Sequence, residues 1–309
     1  MSEIPMRAPS LQARRYYMGG LALAVLGAVF FSAKAIVAKL LYREGIDAVT
    51  LLALRMLLSV PFFLLIAAWT WAQRPRPSWR DALHIMALGL LGYYAASMLD
   101  FLGLQYITAG LERLILFLTP TFVLLLGMLF YQRRVTRLQW CSMAFAYAGI
   151  VLVFWHDLSL GGEGVVLGAG LVFGAAVSYA IYLLLSGELV NRVGTLRLVS
   201  LALIACCIAS LLQYALLRPF PTLFTQSAAV WQLSLINATL CTVLPVFLTM
   251  FAIARIGAGP AAQAGMMGPV STLGLAWWIL DEPFSSVQLA GTSLVLAGIL
   301  LLTLHRGAR

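Results

Sequence analysis

Ten blocks of apolar residues, each near the ~20 residues that cross a bilayer as a helix, fill most of this 309-residue chain. They lie at 17–41, 48–72, 82–104, 107–130, 137–155, 164–187, 196–217, 229–253, 258–280 and 285–304. Block length and the lack of strict two-residue alternation favour helices over barrel strands. Composition agrees: 62% of residues are hydrophobic and 10% charged, where a soluble domain carries about a quarter charged residues. Mean hydropathy is +0.96. The expected fold class is an all-α integral membrane protein with ten transmembrane helices.

The second half of the chain echoes the first. Shifted by 149, Ile107-Thr-Ala-Gly110 falls on Ile256-Gly-Ala-Gly259, Pro120 on Pro269, Gln139 on Gln288, and Ala148-Gly149-Ile150 on Ala297-Gly298-Ile299. Leu and Ala matches mean little in so apolar a chain, but the Pro, Gln and Gly matches are informative. Five spans per half is an odd number, so 17–155 and 164–305 are expected to be two inverted five-helix repeats. Many secondary transporters are built this way, with a site near the midplane between the halves.

The net charge of +9 is distributed as a membrane protein requires, not as a nucleic-acid-binding surface. The segments expected on one side include Arg14, Arg15, Arg74, Arg76, Arg133, Arg134, Arg192 and Arg255. The opposite side has only Arg43 and Arg218 among its arginines, beside Glu44, Asp47, Asp157, Glu163, Asp281 and Glu282. By the positive-inside rule both termini are cytoplasmic. Residues 1–16 are expected to be a mobile, basic cytoplasmic segment rather than a cleaved signal, because the block after them is full length and contains Lys34. Nearly all eight tryptophans fall close to span ends, as an interfacial belt does. The four cysteines and three histidines show no metal-ligand spacing, and no cofactor motif is present.

Apart from Arg137 and Arg197 at the very starts of their spans, which belong with the cytoplasmic charges, six charges remain inside the spans, all in the first half: Lys34, Lys39, Arg55, Asp100, Glu112 and Arg113. Each costs at least ~2.5–3.5 kcal/mol in hydrocarbon unless paired, hydrated or able to reach the interface. Lys39 is close enough to a span end to snorkel. Asp100 and Glu112 could each take one cation, with Arg55 and Arg113 nearest in depth. Such a network could glue helices together. It could equally titrate during transport or meet an anionic group of a substrate, and the excess of cations leans towards a carboxylate. Further candidate binding residues are Tyr93 and Ser97, in a stripe with Asp100, then Tyr179 and Tyr182, Asn237 and Gln263. Interhelical hydrogen bonding accounts for any one of them; together they would line a central polar cavity.

Pro120 and Pro269 stand at equivalent centres of the fourth and ninth spans. Each proline lacks an N–H and displaces the carbonyl four residues earlier, that of Leu116 or Gly265. Freed carbonyls at membrane depth persist only where protein or cavity water satisfies them, so the pair are gating candidates as well as plain bends.

These features resemble the drug/metabolite transporter superfamily, EamA type. The resemblance rests on ten spans in two repeats, a proline in the fourth span of each, and Leu280-Asp-Glu-Pro283 followed by Gln288-x-x-Gly291 and Ala297-Gly298. It covers about residues 17–305. It implies a bacterial inner-membrane carrier, often an exporter of amino acids or other small metabolites, working by alternating access, with protons as a candidate coupling ion. The chain departs from the pattern at Arg133, where a Glu is usual, and at Leu111-Glu-Arg-Leu114. A membrane-embedded enzyme would need clustered catalytic groups, and a sensor would need an output domain; the isolated carboxylates and short loops provide neither.

Overall fold

The computed structural model describes residues 11–73, 77–132, 135–159, 164–282 and 285–307. Among these residues the regular structure is helical throughout. Eight helices are long and apolar enough to cross a membrane. Helix α1 (Leu11–Arg43) and α2 (Ala48–Gln73) are followed by a rod made of α3 (Trp79–Gly89), a π turn (Leu90–Ala95) and α4 (Ala96–Leu104). Next come the short α5 (Ala109–Leu116), α6 (Thr119–Tyr131) and α7 (Arg137–Ser159). The rest comprises α8 (Val165–Val193), α9 (Thr195–Leu217), α10 (Ala228–Ala238), a π turn (Thr239–Val243) and α11 (Leu244–Ile256), then α12 (Ala258–Gly265), α13 (Met267–Leu280) and α14 (Ser286–Gly307).

Several local devices recur 149 residues apart. The two π turns start at Leu90 and Thr239. Helix α6 ends on Gln132 and α13 on Asp281, both left-handed with φ 50° and 58°. Thr136 and Gln139 exchange side-chain-to-backbone hydrogen bonds at the start of α7, as Ser285 and Gln288 do at the start of α14. This capping box satisfies two orphan N–H groups and explains why glutamine stands at both positions.

The packing is reciprocal too. Helix α1 lies against α11, α12 and α13, while α8 lies against α4, α5 and α6; α2 pairs with α9 and α7 with α14. Lipid tails are as apolar as leucine, so close approach and van der Waals fit hold such pairs together. The α7–α14 seam shows how close. A Cβ on Gly149 would come within 2.4 Å of the Gly291 carbonyl oxygen, and one on Gly298 within 2.6 Å of the Ser142 carbonyl oxygen. The Ser142 hydroxyl donates to the Gly298 carbonyl. Outside, large apolar side chains are exposed, among them Leu65, Phe130, Leu216, Trp79, Trp155 and Trp278, as expected of a lipid-facing surface.

Three boundaries differ from the sequence expectation. Residues 11–16 are already helical, so the segment 1–16 is not uniformly irregular; residues 1–10 lie outside the described residues. Helix α8 runs on to Val193 rather than ending at 187, because polar residues can keep helical hydrogen bonds where they meet the interface. Only Gly194, with φ 86°, separates it from α9. The ninth block is broken at Met266. The expectations for Arg74, Arg76, Arg133, Arg134, Glu163 and Pro283 fall outside the described residues.

Candidate functional site

Lys34, on α1, holds two carboxylates from two other helices. Its Nζ lies 2.5 Å from Oδ2 of Asp100, on α4, and 3.4 Å from Oε1 of Glu112, on α5. All three are buried, Glu112 completely. Isolated, any one of them would cost several kcal/mol to hold out of water, so the trio is interdependent. The expectation that Arg55 and Arg113 would take one acid each is incorrect. Lysine's compact ammonium on a flexible stem can sit between two carboxylates, whereas the adjacent residues Glu112 and Arg113 point to different sides of α5.

The two arginines are buried beside this trio on other partners. Arg113 donates to the Ser32 hydroxyl at 3.2 Å, and Ser32 donates on to the Gly268 carbonyl at 2.9 Å. Arg55 donates from Nε to Thr242 Oγ1 at 2.8 Å, and Thr242 donates to the Asn237 carbonyl five residues back. That five-residue reach is the spacing of the π turn itself, so the local helix widening positions the acceptor for Arg55. Two phenyl rings join the cations. Phe31 lies under Arg113 at 4.8 Å and Lys34 at 5.6 Å, while Phe101 lies under Lys34 at 5.5 Å and Arg55 at 5.3 Å.

The helix breaks bring these groups together. Helix α5 is short because Pro120 cannot continue it; Thr119 Oγ1 instead donates to the freed Leu116 carbonyl at 2.6 Å. The break at Phe117–Leu118 has its counterpart at Met266, between α12 and α13 and ahead of Pro269. Gly268, just after that second break, presents the carbonyl that Ser32 uses and lies against the Arg113 guanidinium. At its other end α5 is capped by Thr108, which accepts from the Leu111 N–H and donates to Asp157. The Glu282 carboxylate accepts from the Ala109 N–H at 3.1 Å and pairs with Lys39 at 3.9 Å. Lys39 thus has an acidic partner instead of simply reaching for the interface. Burial pushes the Glu282 carboxyl above its ordinary range, and Lys39 and the Ala109 N–H only partly offset this. An open depression of about 500 Å³ lies beside this latch, lined by Lys39, Tyr42, Arg43, Gln105 and Glu282 among others.

The remaining candidates divide. Tyr93 meets Tyr182 at 3.3 Å between hydroxyl oxygens, and Tyr179 stacks on Tyr182, forming a separate aromatic cluster. Ser97 is half-buried between that cluster and Asp100. Asn237 is fully buried and neither of its amide atoms has a hydrogen-bond partner in the protein. Gln263 is exposed on α12 and is not brought to the trio. Sequence reasoning missed Ser32, Thr242, Phe31 and Phe101. Hydroxyl and phenyl groups are too common in apolar spans to stand out; only Ser32, two residues before Lys34, offered a local hint.

A buried charged cluster within a helical membrane scaffold defines an integral membrane protein with a polar interior site. The sequence pattern of the EamA-like transporter family matches residues 18–155 and again residues 166–304, and the chain belongs to that family. It is 30% identical over 299 residues to the uncharacterized transporter YcbK of Bacillus subtilis (strain 168), covering 93% of each chain. An uncharacterized transporter of Archaeoglobus fulgidus is 26% identical over 238 residues, covering 75% of this chain and 81% of its own. The uncharacterized transporter sll1319 of Synechocystis sp. is 26% identical over 315 residues, covering 93% and 94%. A solved crystal structure shares the fold with TM-score 0.63 over 93% of this chain and 97% of the other, at 17% identity. The protein is therefore a multi-pass membrane transporter, with the bilayer and a small-molecule substrate as its partners.

Proposed function

We propose that this protein is a secondary transporter that moves a small metabolite, an amino acid or similar compound, outward across the bacterial inner membrane by alternating access. In this reading ten spans form two five-helix repeats, 17–155 and 164–305, of opposite orientation, with both termini in the cytoplasm. The observation that carries the proposal is Lys34 holding Asp100 and Glu112 together where helices from both halves converge. A group that can release one of two partners is suited to a binding step coupled to a change of state. Glu112 is the carboxylate proposed to take up and release a coupling proton: its ion pair is the longer one, and neither of its oxygens forms a hydrogen bond.

The helix breaks at Phe117–Leu118 and Met266 supply flexible points at matching places in the two halves. Pro120 and Pro269 are proposed to shape the gates, with the Lys39–Glu282 latch closing the outer face. The test is a solute screen in proteoliposomes with and without a pH gradient. Saturable efflux that the gradient accelerates, and that Lys34→Gln abolishes, is the expected result. Flux indistinguishable from protein-free vesicles for every solute would overturn the proposal.

A further inference from the structure

The buried cluster does not balance its own charge. Lys34, Arg55 and Arg113 contribute three cations, Asp100 and Glu112 two anions, and all five residues are at most 6% exposed. Protonating either acid enlarges the positive excess. Nearer the Glu282 end, Glu282 is taken up by Lys39 and Asp157 by the Thr108 hydroxyl, so neither acid is turned to the buried cluster. An uncompensated cation in a dry interior is costly, and hydroxyls and phenyl faces stabilise it only in part. Arg113 has capacity left, since Nε has no hydrogen-bond partner although it is buried. A guanidinium with free N–H groups fits a planar carboxylate, which can accept two parallel hydrogen bonds.

We infer that the site takes an organic monoanion, with its carboxylate held between Arg113 and the Lys34 ammonium, so that the bound cluster reaches three positive and three negative charges. This rests on the transport reading above and narrows its substrate class to compounds with a single net negative charge, setting zwitterionic amino acids aside. Zwitterions and neutral amides of the same shape cannot supply the missing charge. Glu112, on the longer of the two Lys34 contacts, is the acid that yields its place to the substrate carboxylate. Phe31 and Phe101 flank Lys34 and offer apolar faces to the rest of the molecule.

Thermal unfolding of the purified full-length protein tests this with matched probes: lactate against lactamide and alanine, and benzoate against benzamide. At saturating concentration at least one carboxylate should raise the midpoint by a few degrees, while its amide and alanine leave it unchanged. Arg113→Gln should lose the response and Arg113→Lys, which keeps the charge, should retain part of it. Arg192→Gln, which breaks an exposed ion pair with Asp81 that has no part in the site, should respond like the parent. Equal protection by an amide or by alanine, no protection by either carboxylate, or a full response in Arg113→Gln would each overturn the anion assignment. Transport of alanine with no carboxylate response would do so while leaving the transporter reading intact. Carboxylate protection without flux of any solute would leave the anion site standing and reject the transport reading.

Discussion

The two halves of this chain share local devices but not charge. At the 149-residue offset that aligns the π turns, the left-handed caps and the capping boxes, Asp100, Glu112 and Arg113 fall on Thr249, Ala261 and Ala262. Helix α8, which packs onto the first half as α1 packs onto the second, carries no charge before Glu188, whereas α1 carries Lys34 deep in its length and Lys39 nearer its end. Equivalent positions are therefore filled by small or neutral residues without loss of the helix arrangement. A cluster of acids and bases buried deep in the spans of one half, where the other half buries only Arg197 at the start of α9 among the described residues, is a departure from that arrangement, and such departures point to binding or chemistry.

The halves differ most at Lys34, whose counterpart 149 residues on is Leu183. Lys34→Gln should lower stability in detergent by about 3–5 kcal/mol, because two buried carboxylates lose their shared cation. Replacing the whole trio with neutral residues, Lys34→Met with Asp100→Thr and Glu112→Ala, should recover most of that loss while transport stays absent. Calorimetry of the two variants decides the matter: if the neutral trio is as unstable as the single variant, the charges are structural after all. Glu112→Gln keeps size but cannot titrate. It should retain exchange of substrate between vesicle and medium and lose accumulation driven by a pH gradient, which paired exchange and gradient assays would show. Wild-type accumulation would exclude Glu112 from proton coupling.

Local positions sharpen the comparison further. A Cβ on Gly92 would come within 2.3 Å of Tyr182, so Gly92→Ala should cost about 1–3 kcal/mol by overpacking the π turn. The residue 149 further on is Cys241, which carries a Cβ; Cys241→Ala should cost clearly less in the same denaturation assay. Thr136→Ala and Ser285→Ala should each cost about 1 kcal/mol through loss of equivalent caps. A tenfold difference between them in thermal inactivation rate would show that the two boxes are not equivalent.

The smallest expected effect concerns two acids outside the spans. Burial raises the Asp47 carboxyl, but hydrogen bonds from Thr50 and Arg218 outweigh this and hold it below its ordinary value. Its contribution is therefore present above the unfolded value of about 3.9 and lost as pH falls through the folded one. Glu282 is shifted upwards, so its contribution has the opposite sign and is lost as pH rises through its folded value. Asp47 is partly exposed, and solvent screening should limit its effect to a few tenths of a kcal/mol. Unfolding midpoints from pH 3 to 6 for Asp47→Asn and Glu282→Gln should diverge from the parent in opposite directions.

Much of this was legible in the sequence. Apolar blocks marked the helices, and paired prolines marked where the fourth and ninth spans bend; the capping role of Gln139 and Gln288 emerged with the hydrogen bonds. The charged residues were visible as well, since a charge in an apolar block stands out without any alignment. Their partners were not. Depth along a span suggested Arg55 and Arg113 for the two acids, but depth ignores which way each helix face is turned.

Composition and periodicity by themselves determined that the chain is helical and membrane-embedded, because hydrocarbon forces each spanning segment to satisfy its own backbone. Proline positions added that the fourth and ninth spans bend, since proline acts within one turn, while the breaks at Phe117–Leu118 and Met266 and both π turns came with the structure. Only the tertiary structure decided that Lys34 holds both carboxylates, that Thr242 and Ser32 receive the arginines, and that Gln263 remains apart. Those outcomes depend on helix rotation and on contacts between residues as far apart as Ser32 and Gly268, which no local pattern encodes. Side-chain pairing in a membrane interior is set by which faces meet, and faces meet only once the helices have packed.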